Sequence, residues 1–396
     1  MKVLIADKLS SSAVAELEAL GMKITVNPDL KDTDLPQAIF DNEILIVRST
    51  KVTAETIKAA SSLSLIIRAG AGVNTIDLNA ASANGIYVAN CPGQNASAVA
   101  ELAIGLLIAA DRRIVDATGD LRSGKWRKKA YQKACGLKGR TLGIIGLGSI
   151  GKAVVNRARG LEMEIIAWSR SFTEQEAQIL KIGYCASPGE LAERADAVTV
   201  HIAANQDTRH LINAAFFNKM KKGAIFINTS RGEIVDSSAL LRAMEEKNIR
   251  VGLDVFEEEP KAGEASFEQS DLVNMITCCT PHIGASTDQA SEAIASMVVA
   301  IAKAYKETGK PVNTVNIRQK SSAIVEMVVR HFNRVGVLAG LLHELKNAGI
   351  NVEEMENTIF ENGQTASCTL RLDEMPASDL IQKIRENSDI IQVFLE

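Results

Sequence analysis

Short apolar runs alternate with amphipathic stretches along most of this chain. Val3-Leu4-Ile5-Ala6, Ile24-Thr25-Val26, Ile44-Leu45-Ile46-Val47 and Leu65-Ile66-Ile67 are continuously apolar or nearly so. Runs of that length predict strands buried on both faces, as in a parallel sheet covered by helices. Residues 11–20 have helical spacing and stop at Gly21, where a left-handed cap costs nothing. From Thr141 the alternation restarts. Leu142-Gly143-Ile144-Ile145, Ile165-Ile166-Ala167, residues 197–202, Ala224-Ile225-Phe226-Ile227, Val251-Gly252-Leu253 and Met275-Ile276-Thr277 predict a second set of strands. Residues 291–305 read as a long helix closed by Gly309-Lys310-Pro311. Strands joined by helices in this order predict an α/β protein with two doubly wound, Rossmann-like parallel sheets.

Beyond Arg318 the rhythm changes. Residues 323–329 predict a strand, 337–348 a helix, and 351–360 with 365–372 a hairpin turning at Asn362-Gly363. Residues 377–386 predict a second helix and 390–395 a last strand. That βαββαβ order predicts a ferredoxin-like module.

Length and composition narrow the function. At 396 residues the chain exceeds one compact core, so two or three domains are expected. A content of 46% hydrophobic residues excludes a disordered chain. With 44 basic against 48 acidic residues there is no global field for a polyanion, and no nucleic-acid partner is expected. An anionic substrate must be held by local cations. Residues 96–110 are apolar but carry Glu101 and are too short for a bilayer. The N-terminus meets charge too soon for a signal peptide. The six cysteines show no ligand spacing, so no metal is expected, and scattered thiols suit a cytoplasmic protein.

Gly146-Leu147-Gly148-Ser149-Ile150-Gly151 follows a predicted strand and opens a predicted helix. In that context Gly146 makes the tight turn, Gly148 admits a pyrophosphate and Gly151 packs the helix on the strand. The carboxylate that would bind a ribose 2′-OH at the end of the next strand is absent; Ser169-Arg170 stand there. NAD held by the serine and NADP held by the arginine both remain open.

Three charged segments each follow a predicted strand: Asn228-Thr229-Ser230-Arg231-Gly232-Glu233, the run 254–260 with Asp254 and Glu259, and Pro281-His282-Ile283-Gly284-Ala285. They therefore lie at the carboxyl edge of the sheet, where ligands bind in such folds. Hydride chemistry on an alcohol needs a group to take the hydroxyl proton, and imidazole suits this near neutral pH. A carboxylate would orient the ring, and an arginine can fork onto a carboxylate and polarise a carbonyl.

Residues 146–151, 228–233, 254–260 and 281–286, in that order, resemble the motif set of the D-isomer-specific 2-hydroxyacid dehydrogenases. Residues 47–53 and 68–73 resemble the branch of that family acting on D-3-phosphoglycerate. The resemblance implies Arg231 as the substrate arginine, Glu259 as the acid partner and His282 as the acid/base. It implies cofactor contacts from Ser149, Ile150, His201, Thr229, Ser230, Asp254, Gly284 and Ala285, beside the glycines and Ser169-Arg170. It implies Arg48, Lys51 and Arg68 as holders of phosphate and carboxylate, with Ala69, Gly70, Ala71 and Asn95 lining the same cleft. Ala71 stands where that branch often has threonine, and residues 200–203 lack its usual proline.

The resemblance also implies a discontinuous substrate-binding domain, residues 1–98 and 286–317, around a dinucleotide-binding domain of residues 99–285. Residues 318–396 look like a regulatory ACT domain, with His331, Asn333 and Asn351 around an L-serine effector. Val335 replaces the proline of that pattern, and a purely oligomerising module is the alternative. A homodimer or homotetramer is expected. The activity implied is oxidation of D-3-phosphoglycerate with NAD or NADP. Two rivals are a hydroxypyruvate or glyoxylate reductase and a non-enzymatic NAD(H)-sensing regulator.

Overall fold

The computed structural model describes residues 1–260, 265–267, 270–318 and 321–396. It divides into two compact units, Met1–Asn316 and Ile317–Glu396. Among the described residues of the first unit, two parallel sheets form. One contains β1 (Lys2–Ile5), β2 (Lys23–Val26), β3 (Ile44–Val47), β4 (Leu65–Arg68) and β5 (Tyr87–Asn90), in the order β2-β1-β3-β4-β5. The other contains β6 (Thr141–Ile145), β7 (Glu164–Trp168), β8 (Gly183–Tyr184), β9 (Ala197–Val200), β10 (Ile225–Asn228), β11 (Arg250–Leu253) and β12 (Cys278–Cys279), in the order β12-β11-β10-β9-β6-β7-β8. Its strand order reverses between β6 and β9, the switch point at which doubly wound sheets open a ligand crevice.

Continuous apolar sequence does what buried parallel strands require. All four residues of β3, β9 and β10 are buried. Helix Ala96–Arg112 lies against the second sheet, where Leu106 and Leu107 join Ile144, Ile225 and Ile227. Helix Asp288–Thr308 instead returns to the first sheet, placing Ile294, Val298 and Ile301 among Val3, Ile46 and Ile67. Thr287 caps its start with a side-chain bond to the Ala290 N–H, and Gly309, at φ +71°, ends it.

Two strands escaped the sequence pattern. β5 carries only Val88 and Ala89 as fully buried positions, and β8 is two residues long. One expectation is displaced. Met275-Ile276-Thr277 does not form a strand: Met275 ends the helix Ser270–Met275, and the Ile276 N–H bonds Leu272 O at 3.0 Å. The four-residue spacing of Leu272 and Ile276 buries both on one helical face. The chain joins the sheet only at Thr277, whose N–H bonds Val251 O.

The second unit is a four-stranded antiparallel sheet of β13 (Val325–Phe332), β14 (Val352–Ile359), β15 (Thr365–Leu372) and β16 (Ile390–Leu395), ordered β14-β15-β13-β16. Helices Val337–Asn347 and Ser378–Arg385 complete the βαββαβ order. Alternate residues of β13 and β15 fill its core with Leu341, Leu345 and Ile384. Among the described residues no helix is long and apolar enough to cross a membrane, and no cluster of His, Cys, Asp and Glu could hold a metal ion.

Candidate active site

The glycine loop leaves β6 and enters helix Ser149–Gly160. A Cβ on Gly151 would lie 2.1 Å from the Gly146 carbonyl oxygen, so only glycine allows the helix this close to the turn. Gly148 caps the helix with no side-chain bond, and a Cβ there would meet nothing within 4 Å. The first N–H groups, led by Ser149 and Ile150, are those a helix start leaves without intrahelical partners, at the positive end of the helix dipole. Beyond them is a cleft of about 290 Å³ lined by Leu147, Lys152, Ser169, Ser171, Phe172 and Glu176, among others. Arg170 is not in that lining: its side chain is 83% exposed, 3.9 Å from Asp207.

Residues following β9 adjoin the loop directly: a Cβ on Gly146 would lie 2.5 Å from the His201 carbonyl oxygen. His201 is buried with Nε2 2.9 Å from Thr199 Oγ1, and burial pushes its imidazole down to about 3. Its Nδ1 has no partner, nor has the buried Thr229 hydroxyl. Ser230 is tied by its N–H and its hydroxyl to Asn228 Oδ1. An uncapped helix start, an adjoining cleft and two partnerless buried polar atoms fit a bound dinucleotide.

His282 Nδ1 lies 2.6 Å from Glu259 Oε2. The other carboxylate oxygen, Oε1, accepts the Phe256 N–H at 3.0 Å, so the acid is held from both sides. Burial would raise the Glu259 carboxyl. The hydrogen bonds from His282 and Phe256, with the charges of His282 and Arg231, outweigh it and hold the group below its ordinary value. His282 sits at φ +52°, a left-handed conformation that histidine tolerates better than most residues. Its N–H bonds Asp254 O at 2.7 Å, while the Asp254 carboxylate accepts Thr280 Oγ1, Ile283 N and Gly284 N at 2.6, 2.8 and 2.9 Å. Asp254 therefore fixes the backbone of the His282 loop, a role the motif alone did not reveal.

Arg231 is drawn to the same place. Gly232 packs so tightly on the 256–257 backbone that a Cβ would sit 2.0 Å from the Phe256 carbonyl, which ties the arginine loop to the Glu259 segment. Across the cleft, a Cβ on Gly72 would be 3.1 Å from Arg231 Nη2, so the 70–73 loop borders the arginine. Arg68, the last residue of β4, lies close enough to Arg231 and Arg48 to feel both. Burial first, then those two charges, lower its guanidinium below the usual value, with Cys91 and Asp7 opposing. Its Nε is buried without a partner.

Arg48 follows β3 in a turn whose three successive N–H groups, from Arg48, Ser49 and Thr50, all donate to Asp7 Oδ2 at 2.7, 3.1 and 3.1 Å. Asp7 escaped the sequence reading because its partners lie more than forty residues away. Lys51 is exposed; Ala69 and Gly70 are buried and Ala71 is half-buried beside them. Asn95 caps helix Ala96–Arg112 by position but makes no side-chain cap bond. Ala285 is half-buried after Gly284.

In the second unit the expected effector residues do not meet. His331 is buried, with Nε2 3.1 Å from Asn357 Oδ1 and Nδ1 2.8 Å from Phe332 O; Asn333 Nδ2 bonds Gly363 O. Asn351 bonds Glu353 instead. His331 pairs with Ala366 and Val352 with Leu372, so Asn351 is at the opposite end of the sheet, about 20 Å away at strand rise.

With this geometry in place, comparison with known proteins identifies the family of the chain. Residues 104–284 match the family described as D-isomer specific 2-hydroxyacid dehydrogenase, NAD binding domain. The chain is 40% identical over 282 residues to hydroxypyruvate reductase of Thermotoga maritima, covering 71% of this chain and 89% of that protein. It is 40% identical over 300 residues to D-3-phosphoglycerate dehydrogenase of Methanocaldococcus jannaschii, covering 75% and 56%. Among solved structures, the TT0316 protein from Thermus thermophilus superposes with a TM-score of 0.71 at 31% identity, covering 80% of this chain and all of that one. The chain belongs to the D-isomer specific 2-hydroxyacid dehydrogenase family. It spans a little over half the length of the phosphoglycerate dehydrogenases of M. jannaschii and Archaeoglobus fulgidus, 56% and 59%.

Proposed function

We propose that this protein oxidises D-3-phosphoglycerate to 3-phosphohydroxypyruvate, the entry step of L-serine biosynthesis. The observation that carries the proposal is the grouping of Arg48, Arg68 and Arg231 beside the Glu259–His282 pair. Arg68 keeps a buried, partnerless Nε and is repelled by two other arginines. Crowded guanidinium groups of that kind suit a substrate with two anionic ends. The nicotinamide, when bound, accepts the hydride. His282 takes the hydroxyl proton on Nε2, while Glu259 holds Nδ1 and stabilises the imidazolium that results. Arg231 forks onto the carboxylate and the developing carbonyl, and Arg48, Lys51 and Arg68 hold the phosphate.

The cofactor reading is NAD, with the ribose hydroxyls met by Ser169; Arg170 would serve NADP only by turning in from solvent. For residues 317–396 we infer a regulatory pairing of two copies, with L-serine between the His331–Asn333 end of one and Asn351 of the other. The first unit also fits a homodimer: helix Ile114–Arg122 has no buried residue, and Ile114, Val115, Leu121 and Trp126 are exposed near it. A hydroxypyruvate or glyoxylate reductase is the second reading, favoured by the near full-length match to the Thermotoga enzyme. A spectrophotometric survey of 2-hydroxy and 2-oxo acids with both cofactors, with and without serine, tests the substrate, cofactor and effector readings, and the solution mass tests the dimer. Reduction of glyoxylate with no turnover of D-3-phosphoglycerate would overturn the first reading. No turnover of any acid, with dinucleotide binding intact, would favour a sensor of NAD(H).

A further inference from the structure

A second histidine–carboxylate pair draws its acid from the same segment as the first. His210 Nε2 lies 2.6 Å from Glu257 Oε1, and the other oxygen of Glu257 accepts the Ser237 hydroxyl at 2.9 Å. His210 belongs to the loop after β9, at φ +49°, and its N–H bonds Glu233 O at 2.9 Å. Glu257 belongs to the segment that carries Glu259. The two carboxylates are linked through one residue, since Phe256, whose N–H holds Glu259 Oε1, directly precedes Glu257.

We infer that His210 is a positioning residue, acting through Glu257 to fix the turn that aims Glu259 at His282. The inference rests on the dehydrogenase reading of the His282 site. Its physical basis is short range. Segment 254–260 is connected to the sheet through Asp254, whose N–H bonds Asn228 O, but beyond Phe256 it has left the strand ladder. Glu257 is then anchored on two elements at once, the loop holding His210 and the start of helix Ser237–Lys247. Neither His210 nor Glu257 needs to touch substrate for this. Loss of the anchor would let the Phe256 N–H and the Glu259 carboxylate drift, and small displacements of a positioned group lower turnover more than they lower binding.

The test uses the full chain with three variants. Asparagine tolerates the left-handed backbone at 210 but is too short to reach Glu257, so His210→Asn removes the bond without new strain. His210→Gln restores a donor of similar reach, and Glu257→Gln keeps an acceptor for Ser237. We expect His210→Asn to lower kcat about tenfold with KM for substrate and cofactor little changed and the thermal midpoint preserved. His210→Gln should recover most of that loss. Normal kcat in His210→Asn overturns the inference, as does a change confined to cofactor KM or a glutamine variant no better than asparagine. His282→Ala runs alongside: if it too is fully active the dehydrogenase assignment has failed, whereas an inactive His282→Ala beside a normal His210→Asn sinks this inference alone.

Discussion

His282 Nδ1 and Glu259 Oε2 meet at 2.6 Å across twenty-three residues of sequence. Because one ring nitrogen is taken by the carboxylate, the other is the one free to face a substrate hydroxyl. Replacing His282 with alanine should lower kcat by roughly two orders of magnitude or more. Dinucleotide affinity, read by fluorescence titration, should change little. Glu259→Gln should fall between wild type and that variant, since an amide can orient the ring but cannot offset its charge.

The arginine group makes a prediction about selectivity. Arg68→Ala should raise KM for D-3-phosphoglycerate at least tenfold, about the worth of one charge-assisted bond. KM for D-glycerate should be nearly unaffected. Parallel changes for both substrates would mean that Arg68 shapes the loop rather than gripping a phosphate.

Gly232 offers a steric test of how the site is assembled. A Cβ there meets the Phe256 carbonyl at 2.0 Å, so Gly232→Ala must shift backbone. Overpacking of this kind costs on the order of 1–3 kcal/mol. The melting midpoint should drop, and kcat should drop with it, because the displaced segment carries Glu259.

Much of this arrangement was legible beforehand, for identifiable reasons. Strand ends and glycines are written locally, so the loop 146–151 and the edges bearing Arg231 and His282 follow from runs a few residues long. What was not legible depends on partners far apart in sequence. Asp7 reads as a polar residue after a strand until the turn at 48–50 folds onto it. Asp254 reads as a ligand group until its carboxylate is found closing the 280–284 loop. Met275 has strand-like neighbours, yet Leu272 and Ile276 bury as a helical pair.

His201 links the site to acid stability. Its folded value of about 3 lies below the ordinary 6.5. Between those pH values the unfolded chain binds the extra proton. The contribution is therefore fully present above pH 6.5 and is lost as pH falls toward 3, by up to about 1.4 kcal/mol per pH unit. Thermal midpoints at pH 7 and pH 5 should show a smaller acid-side drop in His201→Asn than in wild type.

Arg170 lies outside the cleft lining, on the solvent side. Arg170→Ala should leave NAD affinity unchanged in equilibrium titrations; if NADP also binds, only its affinity should weaken. Equal weakening of both would mean the arginine serves the fold of the loop.

The most direct measurement is the ratio of kcat/KM for D-3-phosphoglycerate to that for D-glycerate with the wild-type chain. A phosphate held by Arg48, Lys51 and Arg68, with Arg231 on the carboxylate that both acids share, would give a ratio of about a hundred or more. A ratio near one would contradict the account.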